Sequence, residues 1–155
     1  RNKGIRVMNK GKQMVVRDFS GKPFSVNRML LDLLLDNGFV PILTIPLGDE
    51  EGIAINSEND DVVAVLQKEF GAERVVQLIE APGFLEDVSD PRSVVVSMNR
   101  DDLVKREERV SGRMKRKMLA LRRLFENGVE TVVIGDGRVE HPLRDALNGG
   151  GTVIS

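Results

Sequence analysis

A chain of 155 residues with 41% apolar and 30% charged residues has the composition of a globular domain, not of a disordered protein. It contains no cysteine and one histidine, which excludes disulfides, a cysteine nucleophile and a metal site built from several histidines. We identify no signal peptide and no apolar run near the roughly 18 residues of a membrane span, so we expect a cytoplasmic protein that binds no membrane. The sequence begins at Arg1 without a methionine, which suggests a part of a longer protein.

The formal net charge of −1 is unevenly distributed along the chain. Residues 1–28 contain eight basic residues and one acidic residue, a net charge of +7, which leaves −8 for the remainder. Such asymmetry is typical of a surface for an acidic partner, and the alternative is a basic hairpin that is simply solvated. A nucleic-acid partner is not favoured, because the chain as a whole is slightly acidic and has no tyrosine or tryptophan for base stacking.

The first 38 residues predict a hairpin followed by a helix. The β-rich segments Ile5–Met8 and Met14–Arg17 flank the turn-forming sequence Asn9-Lys10-Gly11-Lys12. A helix is predicted over Ser25–Leu35, with Ser25 as its N-cap and Asn37-Gly38 as its end.

Apolar runs and a helical pattern alternate in the next segment. The run Phe39–Ile45 is bounded by turn residues and predicts a buried strand. A helix opens at Asn59 or Asp60 and ends at Gly71, and Arg74–Ile79 predicts another strand.

The last third continues the alternation. Ser93–Ser97 predicts a short strand, and Asn99 caps a charged helix that extends to about Val110. A second helix, which stops near Asn127-Gly128, carries one apolar stripe formed by Met114, Met118, Leu121 and Phe125. The remaining elements are a strand, a short helix and a final strand, at Thr131–Ile134, His141–Leu147 and Thr152–Ile154. Strands that alternate with amphipathic helices predict an α/β sandwich around a largely parallel sheet.

The start of the second of these helices is unusually basic, with the sequence Gly112-Arg113-Met114-Lys115-Arg116-Lys117. A helix N-terminus carries about half a positive charge, so four cations there destabilise the helix unless an anion is bound. Unpaired backbone N–H groups and cations at this position predict a phosphate site. The alternative is a solvated basic patch. The sequence has no Walker A loop.

Two further segments follow predicted strands, where ligands of α/β proteins usually bind. The first is Asn56-Ser57-Glu58-Asn59-Asp60-Asp61, in which Ser57 and Asp60 suit a capping box and Asn56 could offer its amide to a substrate. The second is Gly135-Asp136-Gly137-Arg138, which fits either a plain turn or a place beside a nucleotide.

Taken in order, these segments resemble the amino-acid kinase superfamily, which includes N-acetylglutamate kinase. The matching motifs are the NxNADQ-type loop, the LxxVxG(I/L)L segment, the GGMIPK segment and the late IIDGR and GTxI elements, found here at residues 56–61, 78–85, 112–117, 134–138 and 151–154. The basic form of the third motif and the sequence Asp18-Phe19-Ser20-Gly21 are most similar to a carrier-dependent branch. Its members phosphorylate α-aminoadipate or glutamate whose amino group is blocked by a small acidic carrier protein, LysW.

The resemblance implies a role for each matching position. Lys117 matches the catalytic lysine that stabilises the transferring phosphoryl group, and Asp60 matches the aspartate that orients the catalytic lysines. Asn56 matches the residue that binds the α-substituents of the substrate. The nucleotide-binding positions are Gly112, Arg113, Met114, Lys115, Glu80 and Gly83. No protein ligand for a metal is expected, and the implied cofactors are ATP and Mg²⁺.

The resemblance also implies that residues 1–155 are the C-terminal, nucleotide-binding part of such a kinase, with a basic hairpin and loop over residues 1–24 and an α/β core over residues 25–155. We expect an acidic carrier to bind the basic residues 1–28, and we expect a homo-oligomer. The rival functions are an N-acetylglutamate kinase with a free substrate and a non-catalytic nucleotide-binding regulator.

Three departures from the family pattern bear on the rival functions. Ile79-Glu80 replaces the usual Ser-Asp pair, and Asp61 replaces the glutamine of the NADQ-type loop. The lysine-glycine (KxGG) and HGGG loops of the family do not occur in this sequence, and Gly149-Gly150-Gly151 is interpreted as a turn.

Overall fold

The computed structural model describes residues 4–16, 19–110 and 112–155. The chain divides into two compact units, Arg1–Glu69 and Phe70–Ser155. That the whole chain forms one part of a kinase, with a boundary near residue 24, stays a prediction.

The first unit opens with the predicted antiparallel hairpin. Strands β1 (Ile5–Asn9) and β2 (Lys12–Val16) pair from Ile5↔Val16 to Asn9↔Lys12. Lys10 and Gly11 have positive φ values of 48° and 76°, as a two-residue hairpin turn of the favoured handedness requires. The hairpin prediction is therefore confirmed, although Arg17, predicted in the second strand, lies outside the described residues.

Helix α1 (Arg28–Asp36) begins three residues later than predicted. Its N-cap is Asn27, whose side-chain oxygen accepts a hydrogen bond of 3.1 Å from the Leu30 amide, so Ser25 as the cap is wrong. Asparagine caps a helix as well as serine does, and only Asn27 stands at the correct distance from that amide. The predicted end is confirmed, because the helix stops at Asn37 and Gly38 follows with φ of 80°.

The buried strand predicted at Phe39–Ile45 does not form. The segment is irregular, and its Val40 and Ile42 side chains are 85% and 93% exposed. A strand needs hydrogen-bonding neighbours, and no strand of the described residues lies beside this segment. The short strands β3 (Leu47–Gly48) and β4 (Ala54–Ile55) instead pair antiparallel with each other.

Helix α2 (Asn59–Phe70) begins and ends where the pattern predicts, with Gly71 at φ of 64° after its last residue. Asp60 and Asp61 stand in its first turn, where carboxylates interact favourably with the helix dipole. The capping box predicted from Ser57 and Asp60 is wrong, because the Ser57 hydroxyl is buried without a hydrogen-bond partner in the described part of the chain.

The second unit contains a four-stranded mixed sheet. Its strands are β5 (Arg74–Ile79), β6 (Ser97–Met98), β7 (Thr131–Asp136) and β8 (Thr152–Ile154), in the order β5-β7-β8-β6. Two of the three pairings are parallel (β5 with β7, and β6 with β8), and β7 pairs antiparallel with β8. The mainly parallel sheet of an α/β fold is confirmed.

The strand predicted at Ser93–Ser97 is misplaced, since β6 covers Ser97–Met98. Ser93 instead closes the preceding loop, because its hydroxyl bonds to the carbonyl oxygens of Asp87 and Asp90 at 2.9 and 2.7 Å. Val94 makes only an isolated bridge with Leu85.

Three helices complete the second unit: α3 (Arg100–Arg109), α4 (Gly112–Glu126) and α5 (Pro142–Leu147). Asn99 caps α3 as predicted and accepts a 2.8 Å hydrogen bond from the Asp102 amide. The predicted apolar stripe of α4 is buried, together with the centres of β7 and β8, and the fully buried side chains include Met118, Leu121, Leu124, Val132, Ile134 and Ile154. Of the helices in the described residues, none is both long enough and apolar enough to cross a membrane.

Candidate active site

The first turns of α4 carry several cations and no acidic residue. Gly112 opens the helix with φ of 62°, a conformation that glycine adopts without strain. Lys115 and Arg116 are exposed and Lys117 is half-buried. None of these three side chains forms an ion pair with any residue that the structure describes.

This arrangement places positive side chains and free backbone N–H groups at the same end of one helix. The helix dipole adds further positive potential, so the local field favours an anion with several oxygen acceptors. Arg113 and Met114 belong to the same turn, and their side chains lie outside the described part of the structure.

A second polar cluster lies at the carboxyl ends of β5 and β7. The two strands end in register, with Ile79 opposite Asp136, and the Gly137 amide donates a 2.8 Å hydrogen bond to the Ile79 carbonyl oxygen. Glu80 follows directly after β5 and is exposed. Parallel alignment of the strands thus brings Glu80 and the turn after β7 to one edge of the sheet.

Arg138 is held in this turn by Asp136. Its Nε and Nη2 atoms donate to the two carboxylate oxygens of Asp136 at 2.8 and 2.7 Å, a two-point ion pair. These hydrogen bonds lower the pKa of Asp136 to about 2. The sequence left this segment open between a turn and a nucleotide contact; its hydrogen bonds make it an ordered turn at a sheet edge. The signal for Asp136 and Arg138 was the charged pair between two glycines after a strand.

Gly83 is buried in the core of the second unit. A Cβ atom there would lie 2.8 Å from the Thr152 hydroxyl oxygen, and the neighbouring Phe84 amide donates a 2.8 Å hydrogen bond to that same oxygen. Packing of this loop against β8 therefore accounts for glycine at this position. Its predicted contact with a nucleotide stays a prediction.

In the first unit, Asn56 lies beside the loop that follows the hairpin. Its backbone N–H donates to the Phe19 carbonyl oxygen at 2.8 Å, and its carbonyl oxygen accepts from the Gly21 amide at 2.9 Å. The Asn56 side chain is exposed, and Asp60 is half-buried at the start of α2. The structure thus brings together two segments that the sequence singled out separately, Asn56 and the Phe19-to-Gly21 loop.

The nine predicted site residues are divided between the two units. Asn56 and Asp60 belong to the first unit, and Lys117, Glu80, Gly83 and the four residues from Gly112 to Lys115 belong to the second. Within the described residues, no group of three or more histidine, aspartate or glutamate side chains is arranged to hold a metal ion.

Comparisons with known proteins place this chain among relatives of similar fold. A LysW-aminoadipate kinase of Thermus thermophilus is 39% identical over 157 residues, which cover 99% of this chain and 58% of the relative. An acetylglutamate kinase of Methanosphaera stadtmanae is 34% identical over 128 residues, which cover 81% of this chain and 43% of the relative. The chain thus spans about half the length of the curated relatives it matches.

The fold has counterparts among solved structures. The N-acetylglutamate synthase of Neisseria gonorrhoeae aligns over 99% of this chain and 36% of its own, with a TM-score of 0.76 at 20% identity, a similarity that concerns the fold alone. Residues 4–136 match the sequence model described as the amino acid kinase family. The chain therefore belongs to the amino acid kinase family.

Proposed function

We propose that this chain is part of an ATP-dependent kinase that phosphorylates the side-chain carboxylate of α-aminoadipate or glutamate while a small acidic carrier protein holds the substrate's amino group. The observation that carries the proposal is the 39% identity to a LysW-aminoadipate kinase over 99% of the chain. The similarity to an acetylglutamate kinase is lower and covers less of the chain. The product would serve lysine or arginine biosynthesis.

The basic start of α4 supports the phosphoryl-transfer part of the proposal. Transfer of a phosphoryl group requires in-line positioning and neutralisation of charge rather than a covalent nucleophile on the enzyme. Lys117 would stabilise the transferring group, and the backbone amides near Gly112 would bind ATP phosphates. The absence of an ion pair on Lys117 within the described residues leaves its charge available to an anion.

The metal requirement follows from the nucleotide. Mg²⁺ is usually held by substrate phosphates, water and one or two carboxylates, not by a cage of protein ligands. The described residues, which offer no cluster of three acidic or histidine side chains, fit that mode of binding. When bound, Mg²⁺ would neutralise charge on the phosphates, and Lys117 would supply a further positive charge from the protein.

The hairpin and the loop beside Asn56 support the carrier part of the proposal. Arg6, Lys10 and Lys12 are exposed on the hairpin and give it a positive surface. A globular acidic carrier suits such a surface, because opposite charges steer docking and raise the association rate. The loop at Phe19–Gly21 is hydrogen-bonded to Asn56, so a substrate arm that passes this loop would reach the residue proposed to bind the α-substituents.

Two alternatives rest on specific observations. The acetylglutamate kinase relative favours a free small-molecule substrate. The lysine-glycine and HGGG loops of the family do not occur in the sequence, which favours a nucleotide-binding regulator without catalysis.

A single assay separates the three functions. The protein expressed from its complete reading frame is given ATP and Mg²⁺ with carrier-linked α-aminoadipate, carrier-linked glutamate or free N-acetylglutamate, and ADP release is coupled to NADH oxidation. We expect turnover with a carrier-linked substrate and little with the free one. Turnover on free N-acetylglutamate alone would replace the carrier proposal, and nucleotide binding without turnover on any substrate would favour the regulator.

A further inference from the structure

The segment from Phe39 to Ile45 has the sequence of a buried strand and the exposure of a surface loop. Val40 and Ile42 are 85% and 93% exposed, and Phe39 and Leu43 are 62% and 51% exposed. Fully burying one side chain of this kind is worth roughly 1.5–3 kcal/mol. Four such side chains in water along five consecutive positions are a marked cost, and monomeric proteins rarely leave such a run uncovered.

The preceding helix extends the same apolar surface. Helix α1 leads directly into the segment through Asn37 and Gly38, and its Met29 and Leu33 side chains are 81% and 60% exposed. Leu31 is the one buried residue among the nine of this helix. A helix of a globular protein normally buries its apolar stripe, so α1 presents a face that lacks a covering layer.

The backbone of the segment is unsatisfied as well. Phe39 donates its N–H to the Leu34 carbonyl oxygen at 3.0 Å. From Val40 to Ile45, no backbone hydrogen bond joins the segment to another described part of the chain. By contrast, all six residues of β5 are paired with β7. Extended backbone with free donors and acceptors is a template for pairing with another strand.

The position of proline decides which edge of the segment can pair. Backbone groups of successive strand residues point to opposite edges, so Val40, Ile42 and Thr44 share one edge, and Pro41 and Leu43 share the other. Pro41 has no N–H to donate, which weakens its own edge. The edge formed by Val40, Ile42 and Thr44 keeps every donor and acceptor.

We propose that residues 39–45 form a β-strand whose Val40–Ile42–Thr44 edge pairs with a strand supplied by the segment that the longer relatives carry outside the matched region. In the Thermus thermophilus relative, the matched residues account for 58% of the chain, which leaves enough sequence for further strands and helices. Such a segment supplies both a strand to pair with the free edge and helices to cover the exposed side of α1.

A second copy of this chain suits the surface less well. The segment carries apolar side chains on both faces, with Phe39 and Leu43 on one and Val40 and Ile42 on the other, so it requires a layer on each face as well as a neighbouring strand. A contact between two identical edges provides the neighbouring strand but leaves both faces of each copy to be covered.

The test supplies this segment to the complete 155-residue chain. The unmatched part of the Thermus thermophilus kinase is tagged and co-expressed with the chain, so that both polypeptides fold together. We expect a one-to-one complex, and amide hydrogen exchange at Ile42 and Thr44 should slow by about 100-fold relative to the chain alone, as for other amides in a paired strand. The measurement does not depend on substrate or turnover, so it is independent of the proposed kinase activity.

Matched variants keep the result specific. Val40→Asp should abolish the complex, because it places a charge in the proposed interface, and Val88→Asp should leave it intact, because Val88 is 79% exposed in a loop of the second unit. Protection of the Val132 and Val133 amides in β7 verifies that each variant is folded. The proposal is overturned by failure to co-purify, by a complex in which Ile42 and Thr44 exchange freely, by a Val40→Asp variant that binds normally, or by protection that rises with the concentration of the chain alone.

Discussion

Lys117 and Arg116 are neighbouring cations on α4 whose surroundings differ, since Lys117 is half-buried and Arg116 is exposed. If Lys117 stabilises the transferring phosphoryl group, its charge acts mainly in the transition state. We therefore expect Lys117→Ala, made in the protein from the complete reading frame, to lower kcat by about 100- to 1,000-fold, the usual effect of losing one stabilising group.

Arg116→Ala is the matched control for this experiment. It removes one positive charge from the same helix turn, on a different face, and should change kcat by only a few fold. Steady-state kinetics with ATP and the carrier-linked substrate provide both values. Near-normal turnover in Lys117→Ala, or equal losses in the two variants, would contradict the role of Lys117.

Asp136 provides a prediction that requires no substrate. Its two hydrogen bonds from Arg138 stabilise the ionised carboxylate and lower its pKa from 3.8 to about 2. A carboxyl with a lower pKa in the folded state contributes stability above its ordinary pKa and loses that contribution as the pH falls through the folded value. The contribution is therefore present above about pH 3.8 and lost toward pH 2.

NMR titration of the Asp136 side-chain carbon measures this pKa directly. We expect Arg138→Ala to raise it toward 3.8, because the donors to the carboxylate are removed. Arg144→Ala is the control, since Arg144 pairs with Asp145 and not with Asp136. An unchanged titration in Arg138→Ala would mean that the ion pair does not form in solution.

The hairpin of β1 and β2 carries the charge that the nucleotide site does not explain. Its exposed lysines, Lys10 and Lys12, should attract an acidic carrier and accelerate docking. Reversing both to glutamate should raise the apparent KM for the carrier-linked substrate by roughly 10-fold at low salt and leave the KM for ATP unchanged. The defect should shrink as salt rises, because exposed charges are screened over about 10 Å at 0.1 M.

A second double reversal controls for net charge in this experiment. Lys68 and Lys105 are exposed on α2 and α3, and changing both to glutamate alters the total charge equally without touching the hairpin. Only the hairpin variant should affect the carrier-linked substrate. If both variants behave alike, net charge and not the hairpin is responsible, and the hairpin is merely a solvated basic edge.

Local signals in the sequence predicted the elements whose causes are local. The turn at Lys10 and Gly11, the apolar run Arg74–Ile79 and the α3 cap at Asn99 each contain the residues that determine their structure, and all three formed as predicted. Helix caps with two candidates were less certain, because Asn27 and Ser25 are both good capping residues and only the geometry distinguishes them.

Phe39–Ile45 could not be predicted from its own sequence, because a strand depends on a neighbour that the pattern does not contain. The same limit applies to the candidate site. The motif at residues 112–117 located the basic helix start, but the sequence could not show that Asp136 fixes Arg138, or that Gly83 packs against Thr152. Those contacts join segments that are distant in sequence or depend on side-chain orientation.

Across both units, the predicted site residues form an incomplete phosphate-binding apparatus. Lys117 and the start of α4 supply positive charge from the protein, whereas the family's lysine-glycine and HGGG loops have no counterpart in the sequence. Phosphoryl transfer requires positive charge around the whole transferring group, because negative charge is distributed over several of its oxygens. One lysine and one helix start leave part of that charge uncompensated.

We therefore expect the 155-residue chain alone to bind ATP only weakly, with a Kd on the order of 1 mM, which corresponds to about −4 kcal/mol. It should form no acyl phosphate from a carboxylate substrate, because a second phosphate-binding lysine is lacking. Isothermal titration calorimetry measures the binding, and trapping with hydroxylamine detects any acyl phosphate as a hydroxamate. The Lys117→Ala chain is assayed in parallel, because activity that persists in that variant comes from a contaminant. If hydroxamate forms with the original chain and disappears in Lys117→Ala, a centre with a single lysine suffices and the requirement for a second is wrong.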